Sequence, residues 1–331
     1  MITMIPSQSP NRYQQGQIDR KFGMFVHYGI NTFLNQEWSD GTAAPSTYAP
    51  TGLDCEQWAR TAYEAGMNYL LVITKHHDGF CMWDTQTTRY GVRYAGNQAD
   101  VVQQAAKACK KYGIQLALYY SLWDRNCPFY QDDEAYTAYM LRQLEELMDG
   151  RYGEVVELWL DGGWDKPCAR WGLDKIYDLV KRLQPGCQMG VNHCIGNHEW
   201  KGGFASEKYH PDQYEQHDPI ALFPSDFRLL DPYMPKDEDP KIYSYHGELY
   251  YMPFEATFCS REGMCWFYSD GYEEKFPLHT PEELARCYRQ LIGQQNLLVV
   301  NLPANKSGRL VQSDIDNLMK TADLLSIRRT V

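Results

Sequence analysis

The chain has 331 residues, enough for two average domains or for one large α/β barrel, which typically needs about 250 residues. Its formal net charge of −11 and its isoelectric point of about 5.3 argue against nucleic acids and anionic membranes as partners, because both attract clusters of lysine and arginine. Hydrophobic residues make up 44% of the chain, and no apolar run approaches the roughly 18 residues of a membrane span.

Apolar runs rich in strand-forming residues recur along the chain. They are continuous rather than alternating, which is typical of strands buried on both faces of a parallel sheet. We therefore predict strands within residues 23–29, 68–80, 114–124, 155–163, 187–193, 248–258, 264–270 and 296–308.

Helical patterns fall between these runs, at residues 54–65, 101–112, 133–149, 171–184, 279–293 and 313–325. Asp100 is a predicted N-cap, and Thr280 with Glu283 forms a predicted capping box. The alternation of about eight strands with helices predicts an α/β protein, a single-domain (β/α)8-like TIM barrel over residues 1–331 with residues 1–20 as an N-terminal extension. Segment 196–247 has no clear element and is interpreted as long loops at the active-site end.

The cysteines and the start of the chain bear on the cellular compartment. Ten cysteines are scattered without a CxxC pair, which argues against a zinc or thioredoxin-type site and fits a reducing environment. The first residues lack a basic stretch followed by an apolar one, so we predict no signal peptide and a cytoplasmic protein.

Polar side chains end four successive predicted strands. They are His27, the pair His76 and His77, Tyr119, and Asp161. A lone histidine or aspartate after a strand is usually a turn former or a helix cap, but parallel strands bring their carboxyl ends to one edge, where ligands bind. Adjacent residues of a regular strand point to opposite faces, so we expect the backbone to turn at the two histidines. The histidine pair could also bind a metal, but no helical metal-binding spacing such as HxxxH is present, so we discount a metal site.

Asp161 lies in the stretch "LWLDGG", where a buried strand stops on an acid. Burial raises the pKa of a carboxyl unless its charged form is stabilised, and we expect the neighbouring histidines to stabilise it. Gly162 and Gly163 are expected to leave room for a substrate. An ionised carboxylate in an aromatic-walled cavity suits the nucleophile or base of a glycosidase, which needs a second carboxyl as proton donor. The candidates are Glu199, Glu207, Glu215 and Glu255.

At this point the sequence resembles the α-L-fucosidases of glycoside hydrolase family 29. The resemblance is carried by motifs in the family's order, spread over nearly the whole chain. They are "KFGMFVHYG" (21–29), "KHHDGF" (75–80), "YYS" (119–121), "LWLDGG" (158–163) and "NLLVVNLPANKSG" (296–308).

The resemblance implies a retaining, exo-acting α-L-fucosidase that removes terminal fucose from a fucosylated oligosaccharide or glycoconjugate, with no metal or cofactor. Asp161 would be the nucleophile that forms a covalent fucosyl-enzyme. The residues implied to bind the sugar are His27, Glu37, Trp38, His76, His77, Tyr119 and Trp159.

The motifs leave three candidates for the acid/base residue. The segment "GGFASEKYHP" favours Glu207, 46 positions after Asp161. A different subgroup pattern, matched by "IGNHEWKGG", would favour Glu199, and Glu255 resembles a third acidic motif. All three stay open at this stage.

Two features depart from the family pattern. Many members have Asn-Asp-Arg after the fifth strand, where this chain has Asn192-His193-Cys194, so His193 is predicted to substitute for the arginine in holding the sugar. Members also usually carry a C-terminal β-sandwich, which we expect to be absent here. These departures leave two alternatives to fucosidase activity, namely a barrel that cleaves another glycoside and a sugar-binding relative without catalysis.

Overall fold

The computed structural model describes residues 1–196 and 210–330. Within them, eight parallel strands close into a barrel. In order around the barrel, these are β1 (Phe22–Val26), β2 (Tyr69–Lys75), β3 (Gln115–Ser121), β4 (Val155–Asp161), β5 (Gln188–Asn192), β6 (Phe227–Leu229), β9 (Phe254–Cys259) and β10 (Leu297–Asn301). The remaining two described strands, β7 (Ile242–Tyr245) and β8 (Glu248–Tyr251), form an antiparallel hairpin outside the barrel. The predicted (β/α)8-like fold class is confirmed.

The barrel strands owe their position to their continuous apolar character. All seven residues of β2 and all seven of β4 are buried, because one face of each strand packs inside the barrel and the other packs against the surrounding helices. Parallel pairing aligns the last residues of neighbouring strands, so that Ser121 of β3 pairs with Asp161 of β4. The polar residues that end these strands are therefore brought to one rim.

The helices in the described ranges are α1 (Arg12–Arg20), α2 (Ile30–Leu34), α3 (Cys55–Glu64), α4 (Val101–Tyr112), α5 (Asp133–Met148), α6 (Leu173–Leu183), α7 (Tyr272–Lys275), α8 (Pro281–Gly293) and α9 (Gln312–Leu325). The predicted caps are confirmed. Asp100 accepts a hydrogen bond from the Gln103 amide at 2.7 Å, and Thr280 and Glu283 form a reciprocal capping box. Of these helices, none combines the length and apolarity that crossing a bilayer requires.

Three parts of the chain differ from the predicted elements. The run 248–258 is not one strand, because it breaks at Met252 and Pro253 into hairpin strand β8 and barrel strand β9. Residues 264–270 form no strand; Trp266 and Phe267 instead pack in a small apolar cluster beside the barrel. Strands β6 and β7 lie in the segment predicted to be loops, and at three and four residues they are too short to form a recognisable apolar run.

Helix α1, in the predicted N-terminal extension, lies at the amino-terminal end of the barrel. Gln17 and Arg20 on this helix donate hydrogen bonds to the buried carboxylate of Glu157 in β4, at 3.1 and 2.9 Å. This buried ion pair closes one end of the barrel, and the carboxyl ends of the strands open at the other.

Candidate active site

A pocket of about 240 Å³ opens at the carboxyl ends of the barrel strands. Such a volume suits one small ring better than the drug-sized ligands that fill pockets of roughly 300–1,000 Å³. Its walls combine aromatic, histidine and acidic side chains. The lining residues are Phe25, His27, Trp38, His76, His77, Tyr119, Trp159, Asp161, Trp164, Asn192, His193, Asp231, Pro232, Tyr233, Thr257, Met264 and Trp266.

Asp161 is the last residue of β4, and its carboxylate is hydrogen-bonded at both oxygens. Tyr119 donates its hydroxyl to Oδ2 at 2.7 Å. The amide of Gly162 and Nδ2 of Asn192 donate to Oδ1, at 2.9 and 3.0 Å. Donors on three sides hold the carboxylate in one orientation while it faces the pocket.

Burial and, after it, the nearby Asp231 carboxyl raise the pKa of Asp161 to about 7. The hydrogen bonds from Tyr119, Asn192 and Gly162 act in the opposite direction, because they stabilise the ionised form. The free protein thus holds a carboxyl that changes charge close to neutral pH.

The two glycines after Asp161 have a different role from the one predicted. Gly162 adopts a φ of +76°, and a Cβ there would lie 2.8 Å from Cβ and 3.0 Å from the backbone nitrogen of Trp123. A Cβ on Gly163 would lie 2.8 Å from a methyl group of Leu222. The expectation that they leave room for substrate is wrong, because the space beside them is filled by protein.

The histidines at the rim are oriented by partners outside the pocket. His27 Nδ1 lies 2.8 Å from Oδ1 of Asn301, whose amide nitrogen donates to the carbonyl of Trp266, so His27 Nδ1 is the donor and Nε2 is left as an acceptor. His77 Nδ1 lies 2.6 Å from Oγ of Ser121, which donates to the carbonyl of Trp123. His77 therefore also carries its proton on Nδ1 and leaves Nε2 as an acceptor.

His76 has the opposite arrangement. Its Nδ1 faces Nδ2 of Asn31 at 3.5 Å, an arrangement that makes Nδ1 the acceptor and leaves Nε2–H as a donor. The expected turn of the backbone is present, because β2 ends at Lys75 after a register shift and both histidines line the pocket. The three imidazoles thus offer both acceptors and a donor, as binding of hydroxyl groups requires.

These histidines do not stabilise Asp161 by charge, as the sequence had suggested. Burial lowers the pKa of His27 and of His77 to about 3, and it lowers the pKa of His76 as well. All three are neutral near pH 7. His77 Nε2 lies 3.6 Å from Asp161 Oδ2. The hydrogen bonds that stabilise the Asp161 carboxylate come instead from Tyr119, Gly162 and Asn192, which are neutral.

Aromatic rings form much of the remaining wall. Tyr119 and Trp159 stack with centroids 5.4 Å apart, and Trp38 stacks on Trp164 at 6.3 Å. Nε1 of Trp159 and Oγ1 of Thr257 are buried without a hydrogen-bond partner among the described residues. Because buried polar groups are normally satisfied, these atoms point to a ligand with hydroxyl groups.

Most of the predicted site residues come together in this pocket. His27, Trp38, His76, His77, Tyr119, Trp159, Asp161 and His193 all line it. Glu37 does not line the pocket. Its carboxylate accepts hydrogen bonds from the amide of Phe267, and burial raises its pKa to about 7. Glu199 and Glu207 lie outside the described residues.

Glu255 is placed at the other end of the barrel, and the structure contradicts it as an acid/base candidate. It is the second residue of β9 and fully buried, and its Oε2 accepts the hydroxyl of Tyr69, the first residue of β2, at 2.7 Å. Burial and the nearby Glu157 raise its pKa. Glu215, a further candidate, is exposed and does not line the pocket.

Three residues of the pocket are also candidate metal ligands. Ligand atoms of His76, His77 and Asp161 lie within 4.8 Å of one another. Both oxygens of Asp161 and Nδ1 of His77 already make hydrogen bonds within the protein, a geometry that fits hydroxyl recognition better than a cation centre. That the site needs no metal or cofactor stays a prediction.

Asp231 is the pocket residue that sequence reasoning missed most clearly. It follows the short strand β6, so no apolar run indicates that a strand ends there. Asn192 belongs to the Asn192-His193-Cys194 motif, from which the sequence predicts a sugar contact only for His193. Trp266 and Met264 come from the stretch wrongly predicted as a strand.

The chain is similar in sequence and in structure to known proteins. A family model described as alpha-L-fucosidase matches residues 42–328. The chain is 31% identical to alpha-L-fucosidase 1 of Arabidopsis thaliana over 334 residues, which cover 98% of this chain and 60% of the plant protein. It is also 31% identical to a putative alpha-L-fucosidase 1 of rice, Oryza sativa subsp. japonica, covering 100% of this chain and 60% of that protein.

A solved structure of a putative alpha-L-fucosidase from Bacteroides ovatus superimposes with a TM-score of 0.74 at 29% identity, covering 96% of this chain and 55% of that one. The chain thus spans about three fifths of the length of the curated relatives named above.

Proposed function

We propose that this chain, which belongs to the alpha-L-fucosidase family, is a glycoside hydrolase. The proposed activity is that of a retaining, exo-acting α-L-fucosidase that releases terminal α-L-fucose from oligosaccharides or glycoconjugates. The observation that carries the proposal is the position of Asp161, which ends a barrel strand and faces a pocket lined by neutral histidines and aromatic rings.

In the proposed mechanism, a carboxylate oxygen of Asp161 attacks the anomeric carbon of fucose. The bond from that carbon to the aglycone oxygen breaks as a general acid gives its proton to the departing oxygen. The same residue then takes a proton from water, which attacks the anomeric carbon and displaces Asp161. Two inversions give overall retention of configuration.

The pocket supports recognition of a single sugar ring. Nε2 of His27 and of His77 can accept hydrogen bonds from hydroxyls, and Nε2–H of His76 can donate one. Trp159 adds an unpaired N–H, and Trp266 packs its ring 5.3 Å from that of His27. The aromatic faces suit the apolar methyl side of a 6-deoxy sugar.

For the general acid we propose Glu207, with Glu199 as the alternative. Both lie in segment 197–209, and the choice rests on motif similarity alone. The described flanks of this segment lie beside the pocket, because His193 lines it and the ring of His210 is 4.1 Å from that of Tyr233, another lining residue.

A panel of 4-nitrophenyl glycosides tests the proposed function. We expect the α-L-fucoside to be hydrolysed, the β-L-fucoside to be inert, and the α-L-galactoside, which adds one hydroxyl to the methyl group, to react about 10–100-fold more slowly. Proton NMR of the first-formed sugar should show the α anomer. Hydrolysis of a different glycoside without hydrolysis of the fucoside would favour the alternative in which His193, in place of the family's arginine, binds a different sugar. Binding of fucose without any hydrolysis would favour a non-catalytic role.

Removal of the general acid has a signature that depends on the leaving group. We expect Glu207→Ala to lower kcat/KM for a fucosylated oligosaccharide by about 10²–10⁴-fold, because the aglycone oxygen then leaves unprotonated. For an aryl fucoside with an acidic phenol, kcat/KM should stay much closer to wild type, because the departing oxygen needs no proton in the first displacement. Steady-state kinetics on both substrates measures the difference.

The matched comparison is Glu199→Ala, assayed on the same two substrates. If that variant shows the dependence on the leaving group and Glu207→Ala does not, the role passes to Glu199. If neither variant shows it, both assignments are wrong.

The compartment also stays a proposal. All ten cysteines are unpaired, which supports a reducing environment such as the cytoplasm. Fucosylated glycans are the proposed binding partners.

A further inference from the structure

The pocket contains a second carboxyl group that is linked to Asp161 by a single side chain. Nδ2 of Asn192 donates one hydrogen bond to Oδ1 of Asp161 at 3.0 Å and another to Oδ1 of Asp231 at 2.6 Å. An amide nitrogen carries two hydrogens, so the two acids use both of them. Asp231 follows β6 and Asp161 ends β4, and the bridge therefore spans β5.

The orientation of the Asn192 amide is determined by its contacts. Its Oδ1 accepts the backbone N–H of His193 at 3.1 Å, which leaves Nδ2 to face the carboxylates. A neutral hydrogen-bond acceptor at position 231 would hold this orientation less firmly than a carboxylate, because hydrogen bonds to charged groups are about twice as strong. Asn192 is 2% exposed, so no water competes freely for its donors.

We infer that Asp231 is a positioning residue for Asp161, which it reaches through Asn192, and that it determines the acid limit of the reaction. The role of this device in catalysis rests on the proposed function. Asp231 keeps the Asn192 donor on the nucleophile and places a second negative charge near it. The first effect orients the carboxylate, and the second makes it easier to protonate.

The other groups that face Asp161 within the described residues do not carry a comparable charge. They are His76 and His77 after β2, Tyr119 in β3, the Gly162 amide, Asn192 at the end of β5, and His193 after it. Burial lowers the pKa of His76, His77 and His193, so the imidazoles are neutral near pH 7. Nearby cations lie further out, since Lys75 is paired with Asp124 at 3.0 Å and Arg125 stacks on Trp123.

The direction of the effect follows from the charges. Asp161 is mostly protonated at pH values below its pKa of about 7. The Asp231 carboxyl, whose own pKa is raised by burial, contributes to the raised pKa of Asp161. A neutral residue at position 231 removes a negative neighbour and therefore favours the ionised form of Asp161. The two acids titrate as a coupled pair, so the observable is the shift between variants.

The test compares wild type with Asp231→Asn, in which the amide oxygen can still accept from Asn192. Protein labelled with ¹³C at the aspartate carboxyls is titrated by NMR, and the Asp161 signal is identified by its loss in Asp161→Asn. We expect the midpoint to fall by roughly one pH unit in Asp231→Asn. The acid limb of kcat/KM for an aryl α-L-fucoside should move down by a similar amount. The carboxyl titration needs no substrate, so it decides this inference even if no fucoside is hydrolysed.

Two further variants separate the bridge from other effects. Asp237→Asn removes the same charge from an exposed position in the chain that follows β6, and we expect it to leave the midpoint unchanged. Asn192→Ala removes the bridge but not the charge of Asp231, so the fall in the midpoint caused by Asp231→Asn should be larger in that background, because a weakened Asn192 donor no longer opposes it. An unchanged midpoint in Asp231→Asn would overturn the inference, and so would an equal shift with and without Asn192. If Asp231→Asn does not fold, Asp231→Ser is titrated in its place, and the same fall in the midpoint is expected because that variant also removes the negative charge.

Discussion

Asp161→Ala is expected to lower kcat for α-L-fucoside hydrolysis by about 10⁴-fold or more, because it removes the proposed nucleophile. Azide should restore part of the activity with an activated aryl fucoside, since a small anion fits the space that the carboxylate vacates. The rescued product should be the β-fucosyl azide, because a single displacement inverts the anomeric carbon. Kinetics and NMR of the product measure both effects.

Two controls make this result specific. Asp161→Asn preserves the shape of the side chain and should also be inactive, with a melting temperature near that of the wild type. Asp237→Asn removes a carboxylate from an exposed position outside the pocket and should keep full turnover. Wild-type turnover in Asp161→Ala would exclude this residue as the nucleophile and, with it, the proposed mechanism.

Lys75→Met is expected to cost about 3–5 kcal/mol of folding stability, because it leaves the buried carboxylate of Asp124 without its counterion. Lys75 is 0% exposed and Asp124 is 1% exposed, and their charged atoms lie 3.0 Å apart. Oδ1 of Asp124 also accepts the backbone amides of Asn126 and Cys127, so the loss reaches the loop after β3. Chemical denaturation followed by circular dichroism measures the change in midpoint.

The double variant Lys75→Met with Asp124→Asn removes both charges and should recover part of the lost stability. The matched control is Lys111→Met, which breaks an exposed pair with Glu56 and should hardly move the midpoint. A midpoint for Lys75→Met equal to that of the control would mean that the buried pair adds nothing. Lys75 begins the KHHDGF motif, and its predicted role is therefore to hold the two histidines in place rather than to touch substrate.

Much of the site was accessible from local sequence. Continuous apolar runs locate the strands, and in parallel strands the residue that follows such a run lies at the functional rim. His27, Tyr119 and Asp161 were all found in this way and all line one pocket. The capping box at Thr280 was found for the same reason, because its signal lies within four consecutive residues.

Errors arose where the exact start of a strand mattered. Glu255 belongs to an apolar run that reads as one strand from 248 to 258, and on that reading it lies near the carboxyl end. In the structure the barrel strand begins at Phe254, so Glu255 falls at the opposite end of the barrel. The break at Met252 and Pro253 is imposed by the hairpin that packs outside the barrel, which no local pattern indicates.

The amino-acid sequence by itself determined the fold class and the polar residues that end β1 to β4, because periodicity and caps are properties of neighbouring residues. Only the tertiary structure decided that Asp231 meets Asp161 through Asn192, and that the rim histidines are neutral. Charge state and contact depend on burial and on groups that lie far apart in the chain. Burial and these long-range contacts form only when the barrel closes.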